Sequence, residues 1–107
     1  MIGGNQIATL EKKTTFQNSI GEDEETWETI DILEGYLDFL SGESKYDTYN
    51  AKIQESTHVF IMDFKPIDKK AINKRLMIEK EVYEITLIDD PMNLHKHIEI
   101  YLKYTGE

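Results

Sequence analysis

Cysteine is absent from this chain of 107 residues. Its absence excludes disulfide bridges, thiolate nucleophiles and cysteine-ligated zinc, and it fits a reducing compartment. Long apolar runs are also missing, since no stretch approaches the roughly 18 residues that a membrane-spanning helix needs. Residues 1–6 are polar and rich in glycine and contain neither a basic nor an apolar stretch. We therefore expect no export signal and no membrane partner.

Positive charge is missing from one segment of the chain. Residues 21–43 contain nine Asp and Glu and no Lys or Arg, whereas the other residues hold twelve charges of each sign. This segment therefore carries the whole net charge of −9. Such a block repels the phosphates of nucleic acids. The simpler interpretation is a solvated acidic loop and strand edge.

The clearest pattern lies near the end of the sequence. Large apolar side chains fall on every second position at 83, 85 and 87, and again at 98, 100 and 102. This period is typical of strands with one buried face. Asp89, Asp90, Pro91 and Asn93 stand between the two runs and favour a turn. The sequence therefore predicts a β-hairpin over residues 81–104.

Shorter patterns predict the remaining strands, and one of them is ambiguous. Residues 27–40 fit either a strand or a helical stripe, but Gly35 weakens a helix by roughly 1 kcal/mol. The β-branched Ile30 and Ile32 favour the strand. The predicted strands are Ile7 to Phe16, Trp27 to Leu40, Ala51 to Phe64 and Arg75 to Glu79, joined by polar segments at 18–25, 41–50, 65–74 and 79–81.

These elements predict an all-β fold. We expect a small β-barrel or sandwich of five to six strands, with long loops and at most one short helix. At this length residues 1–107 form a single domain, and residues 1–6 form a flexible tail. The alternation predicts a core drawn from Leu37, Val59, Ile61, Leu76, Ile78, Ile85, Leu87, Ile98, Ile100 and Leu102.

Motifs for catalysis are missing, because the chain has no P-loop, no GxSxG and no HExxH. The many carboxylates show no spacing that selects an acid–base pair. We expect His95 and His97 on one face of a strand, where two imidazoles can share a metal. A metal site needs three or four ligands, however. We therefore expect strand-surface histidines, with no catalytic residues, no metal and no cofactor.

One stretch is basic, and two interpretations of it remain open. It contains Lys65, Lys69, Lys70 and Lys74, followed by Arg75 and Lys80. The four lysines either contact a partner, such as phosphate or an acidic protein surface, or they solvate a loop and protect a strand edge. Four tyrosines also have two interpretations, since they either stack on nucleobases or occupy half-buried positions in a sheet. They are Tyr46, Tyr49, Tyr101 and Tyr104.

The run from Gly35 to Glu43, GYLDFLSGE, resembles the strand-to-loop signature of the phage head–tail adaptor family. Its members are the head-completion or stopper proteins of long-tailed phages. The order of elements is similar as well, with an acidic loop ending in Trp27, a long strand ending at 59–63, and a final hairpin. The resemblance covers about residues 7–104.

The resemblance implies a β-barrel protein that forms a homo-oligomeric ring, typically of twelve copies, under the portal and its adaptor. The ring retains packaged double-stranded DNA by confinement only and presents a docking surface to tail-completion or tail proteins. Its place is the head–tail interface of the virion, after assembly in the cytoplasm of the bacterial host. Because of its acidic block, we expect a monomer or weak oligomer when the protein is alone.

Two sets of site residues follow from the resemblance. Acidic residues would give the ring a negative lumen, and the candidates are Glu22, Asp23, Glu24, Glu25 and Glu28. A long loop would reach inward as the DNA stopper, and its candidates are Ser41, Gly42, Glu43, Ser44, Lys45, Tyr46, Asp47, Thr48, Tyr49 and Asn50, extended to about Ser56. The alternative interpretation is a small β-barrel module that binds a cellular protein or single-stranded nucleic acid.

Overall fold

Six antiparallel strands form the fold in the computed structural model, which describes residues 6–40 and 55–105. The strands are β1 (Gln6–Gln17), β2 (Asp23–Phe39), β3 (His58–Asp63), β4 (Lys74–Ile78), β5 (Glu81–Asp89) and β6 (His97–Tyr104), with a short 3-10 turn at Pro91–Asn93 between the last two. They close in the order β1-β2-β3-β6-β5-β4, and β4 returns to β1. The predicted all-β barrel is confirmed. Within the described ranges no helix is long and apolar enough to cross a membrane.

The core fills the inside of this barrel. Seven of the predicted core residues are buried, and they are Val59, Leu76, Ile78, Ile85, Ile98, Ile100 and Leu102. The sequence analysis did not include Ala8, Leu10, Leu33, Phe60, Met62, Tyr83 and Ile88, which are buried as well. Leu37 lies at the margin of the core, partly buried against it. The strongest part of the prediction is β6, where the buried residues alternate as expected.

The prediction that Ile61 lies in the core is wrong. Phe60 and Met62 point into the barrel, and Ile61 is only partly buried between Tyr36 of β2 and Glu99 of β6. Apolar residues occupy both faces of β3, so alternation alone does not decide which face turns inward. The larger side chain of Phe60, fully buried, fills the barrel instead.

The prediction for Leu87 is also wrong, because β5 contains a bulge. Ile85 lies opposite Leu102 and Leu87 lies opposite Tyr101, so Thr86 is an extra residue in the pairing of β5 with β6. A bulge shifts every later side chain to the other face of the sheet. Ile88 therefore enters the core, and Thr86 is buried with its hydroxyl donating to the carbonyl of Tyr101 at 3.0 Å.

Several predicted boundaries change in the structure. β2 begins at Asp23, so residues 23–25 of the loop expected at 18–25 are strand. β3 covers only His58–Asp63 of the strand expected at 51–64, of which residues 51–54 lie outside the described part. The tight turn expected at 79–81 is confirmed. Glu79 and Lys80 have φ values of 50° and 68°, which are typical of a two-residue hairpin turn.

Gly35 lies where β2 starts to pair with β3. A Cβ atom at this position would overlap the carbonyl oxygen of Ile61 and lie 3.0 Å from the ring of Phe60. Glycine therefore allows the two backbones to approach at the point where the long strand enters the barrel.

Candidate functional site

The first two strands extend beyond the barrel and form a projecting ribbon. β4 pairs with β1 only from Ala8 to Lys12, and β3 pairs with β2 only from Tyr36 to Phe39. Beyond these limits the two long strands pair mainly with each other. We call residues 13–29 the arm. The molecule measures 50 Å along its longest axis and 27 and 26 Å along the others, as expected for a barrel with an extension.

The tip of the arm is a turn built on Asn18. The side-chain oxygen of Asn18 accepts hydrogen bonds from the backbone N–H groups of Ile20 and Glu22, both at 3.0 Å. Its backbone N–H donates to the carbonyl of Glu22 at 2.9 Å, and Gly21 supplies a positive φ of 85°. Such Asx bonding fixes a turn locally. The turn holds Ile20, whose surface is 75% exposed, at the end of the arm.

All five acidic lumen candidates lie on the arm. Glu22 is in the tip turn, and Asp23, Glu24, Glu25 and Glu28 are exposed on β2. Two lysines of β1 lie beside these acids. Lys13 lies 3.6 Å from Glu25, and Lys12 is opposite Glu28. Two lysines cannot balance five carboxylates, so the arm keeps a surplus of negative charge.

Trp27 and Arg75 join the base of the arm to the barrel. The guanidinium of Arg75 lies over the Trp27 ring at 4.1 Å from its centroid, and its Nε donates to a carboxylate oxygen of Glu11 at 2.6 Å. The ammonium of Lys13 lies 5.8 Å from the same ring. Cation–π contacts and charge-assisted hydrogen bonds of this kind fix orientation. Sequence analysis missed this cluster, because Glu11 and Arg75 are 64 positions apart and no local pattern links them.

The four lysines expected to contact a partner are not grouped into one open patch. The ammonium of Lys65 donates to Asp31 at 2.7 Å, and this bond holds the pKa of Asp31 below its ordinary value. Lys69 lies 3.7 Å from Asp90.

The other two lysines of this set differ in exposure. Lys74 is buried, with its ammonium 3.2 Å from Asp68. Lys70 is exposed. The backbone N–H of Lys70 and the ammonium of Lys74 both bind Asp68 and lower its pKa. Three of the four ammonium groups therefore have an internal acidic partner.

The candidate stopper loop at 41–50 lies outside the described residues, but the residues on either side of it meet. The N–H of Leu40 donates to the carbonyl of Thr57 at 3.0 Å, and the rings of Phe39 and His58 lie 4.4 Å apart. His58 also contacts Tyr83 and Tyr104, at 5.3 and 6.3 Å between ring centroids. Burial lowers the pKa of His58, although the charge of Glu81 opposes the shift. This end of the barrel is therefore an aromatic surface, where described residues that precede and follow the candidate loop meet.

The expectation that His95 and His97 share a strand face is wrong. β6 begins at His97, and His95 lies in the preceding turn with a positive φ of 56°. Nδ1 of His95 lies 2.5 Å from the buried carboxylate of Asp90, whereas Nε2 of His97 lies 3.1 Å from Glu99. The two rings thus have separate acidic partners. Among the described residues, no group of three or more His, Cys, Asp or Glu is placed to hold a metal.

Asp90 organises the turn between β5 and β6. Its carboxylate accepts a hydrogen bond from the backbone N–H of His95 at 3.1 Å and contacts the ring of that residue. Burial alone raises the pKa of Asp90, but the hydrogen bonds from His95 and the charge of Lys69 outweigh it, so the pKa is lowered. The turn therefore depends on an ionised carboxylate.

The fold and the sequence both have counterparts among known proteins. The solution structure of a protein from Shigella flexneri 2a is similar at a TM-score of 0.75 and 16% identity, covering 98% of this chain and 96% of that one. A chain of the virion of the native gene transfer agent particle is similar at a TM-score of 0.54 and 10% identity, over 95% and 94%. No curated protein matches the sequence. The family described as phage head completion protein matches residues 4–103. The chain therefore belongs to the phage head completion protein family and is a structural protein of the virion.

Proposed function

We propose that this protein docks as a ring under the portal–adaptor complex, retains the packaged DNA and forms the surface to which the tail attaches. The observation that carries the proposal is the projecting arm, which holds five exposed acids and only two neighbouring lysines. Twelve copies arranged around an axis would concentrate this charge. A negative lumen of that kind lets duplex DNA pass without binding it.

Retention of DNA then requires a steric barrier. We assign this role to residues 41–50, because the strands on either side of them end together at the aromatic end of the barrel. The Ser, Gly, Asp and Asn residues of this segment leave it with few apolar side chains. Twelve such loops closing on one axis would block a channel that no single copy binds.

The proposed contact with neighbouring virion proteins includes four lysines, which we expect to contribute unequally to binding. They are Lys65, Lys69, Lys70 and Lys74. The first two are exposed at the surface while they pair with Asp31 and Asp90. Lys74 stabilises the segment 65–74 itself, since its side chain is buried and its ammonium pairs with Asp68. Lys70 is therefore the residue of the four that we expect to contribute most to binding an acidic partner.

Alone, the protein should remain a monomer or a weak oligomer, because the acidic arms repel one another. Assembly then depends on the symmetry of the preformed portal–adaptor platform. Sedimentation velocity of the purified protein should show a monomer or a weak association that grows with concentration. A stable dodecamer without any partner would contradict this dependence.

Shortening residues 44–50 tests the proposed stopper. The variant should fold and dock like the wild type, and tailless heads that carry it should lose their DNA. A matched control replaces the same residues by an equal number of Gly and Ser, which keeps the length and should keep most of the retention. Full retention by the shortened variant would move the barrier to another segment, first of all residues 65–74. Tight, salt-sensitive binding of oligonucleotides by the free protein would instead favour a nucleic-acid-binding module.

A further inference from the structure

The outer edge of β2 is the longer open strand edge of the arm, and the hydrogen bonds around it show which groups face outward. The backbone N–H of Lys13 donates to the carbonyl of Asn73 at 2.7 Å, on the side of β1 that faces away from β2. Because backbone groups of alternate residues point to the same side of a strand, Thr15 also faces away from β2. Thr15 lies opposite Glu25, and Lys13 lies opposite Trp27.

In an antiparallel pair, two opposed residues either bond to each other or both turn their backbone groups outward. Glu25 and Trp27 therefore direct their N–H and C=O groups to the outer edge of β2, and by the same alternation so does Asp23. Among the described residues, no backbone hydrogen bond reaches this edge before the pairing with β3 begins at Tyr36. The open edge thus runs over residues 23–29.

A bulge and an ion pair close the inner end of this edge. The pairing of β1 with β2 shifts at Leu10 and Glu11, which leaves Ile30 as an extra residue on β2. The N–H of Ile32, just beyond it, is bonded to the side chain of Asp31 at 2.8 Å, and Lys65 covers the same carboxylate. An incoming strand would end here, so the free length is about seven residues.

Two properties of this edge suggest that it is completed by another chain. A two-stranded ribbon alone is only marginally stable in water, and a third strand would supply hydrogen bonds that the arm lacks. The edge also carries a surplus of acids on both of its faces, with Asp23 and Glu25 on one and Glu24 and Glu28 on the other. We propose that the outer edge of β2, residues 23–29, is a strand-addition site for an extended, Lys- or Arg-rich segment of another virion protein.

The charge of the edge decides between possible occupants. Strand addition obtains its affinity from main-chain hydrogen bonds and its specificity from alternate side chains, so the incoming segment should place cations beside the acids of β2. A second copy of this chain fits poorly, since pairing two β2 edges would set acidic strands side by side. The proposal concerns a single copy and is tested separately from ring formation. An arm that is occupied in this way would contribute less of its negative charge to the lumen of the proposed ring.

The test uses the full-length protein and a synthetic peptide of seven residues in which Lys and Val alternate. Binding should change the fluorescence of Trp27, the one tryptophan of the chain, which lies on the edge itself. Hydrogen exchange should slow at the amides of Asp23, Glu25 and Trp27 and stay unchanged at Thr14 and Thr26, which face each other inside the ribbon. A peptide of the same charge with Pro in place of Val should give no such protection.

Proline variants distinguish the outer edge of β2 from the outer edge of β1. Glu25→Pro removes an outward N–H and should weaken binding of the Lys–Val peptide about tenfold. Glu25→Gln removes the same charge but keeps the N–H and should weaken it about twofold to threefold. Thr15→Pro, which makes the matched change on β1, should leave the affinity within about twofold of the wild type.

Two results would overturn the proposal. One is binding without protection of the edge amides, which would show attraction of opposite charges only. The other is equal loss of affinity in the two proline variants. Because the exchange experiment needs only the wild-type protein, the proposal remains testable even if Glu25→Pro does not fold.

Discussion

The guanidinium of Arg75 lies 4.1 Å from the centre of the Trp27 ring, and the two residues reach each other across β1. Arg75 belongs to β4, inside the barrel sheet, whereas Trp27 belongs to the part of β2 that has left the barrel. Since Arg75 also binds Glu11 on the strand between them, one side chain connects three strands. This contact orients the arm relative to the barrel.

Removing this link should loosen the arm. Arg75→Ala should lower the free energy of unfolding by about 1–3 kcal/mol, because Trp27 loses its cation and the partly buried carboxylate of Glu11 loses its partner. Lys13→Ala, which removes the more distant cation, should cost less than about 1 kcal/mol. Urea denaturation followed by tryptophan fluorescence measures both values. Equal losses in the two variants would show that the Arg75 contact has no special role.

The buried face of the barrel predicts a contrast between two isoleucines. Ile100 is fully buried, whereas Ile61 is only partly buried on the outer side of β3. Ile100→Ala should destabilise the protein by about 2–4 kcal/mol, and Ile61→Ala should cost clearly less, about 1 kcal/mol. Chemical denaturation of both variants gives the comparison. A larger loss for Ile61→Ala would mean that β3 turns its other face to the core.

The sequence predicts where the strands lie better than it predicts which of their side chains face the core, and β5 shows why. Alternation predicted β6 correctly because its apolar residues occupy one face only. In β5 the bulge at Thr86 reversed the pattern, and its cause, the pairing with β6, is not visible in local sequence. The acidic lumen candidates could be selected from the sequence as a block of one charge. Their position on an arm could not, because that follows from how few residues β3 and β4 pair with the two long strands.

The close approach at Gly35 predicts a strong effect of a small substitution. Gly35→Ala should destabilise the protein by about 2 kcal/mol or more. The added methyl group would overlap the backbone of Ile61, and displacing that backbone costs energy. Gly21→Ala is the matched control. Its Cβ would meet nothing within 4 Å, so only its positive φ costs energy, about 1 kcal/mol. Thermal unfolding ranks the two, and a reversed order would contradict the close approach of β2 to β3 at Gly35.

The lowered pKa of Asp90 predicts a dependence of stability on pH. A carboxylate whose pKa is lower in the folded protein stabilises the fold above its ordinary pKa of 3.8 and loses this effect as the pH falls through the folded value. The free energy of unfolding should therefore decrease below about pH 4. Asp90→Asn should lower stability at neutral pH and flatten this decrease. If the free energy of unfolding of Asp90→Asn decreased at low pH as much as that of the wild type, the dependence would come from other carboxylates.

Docking on the portal–adaptor complex decides whether this protein forms a ring below the adaptor. Electron microscopy of the purified protein, mixed with the portal–adaptor complex of its own phage, should show an added ring below the adaptor with the acidic arms near the axis. We expect twelve copies in that ring and no ring when the platform is left out. A platform that stays bare at saturating protein concentration, or a ring with its arms directed away from the channel, would contradict it.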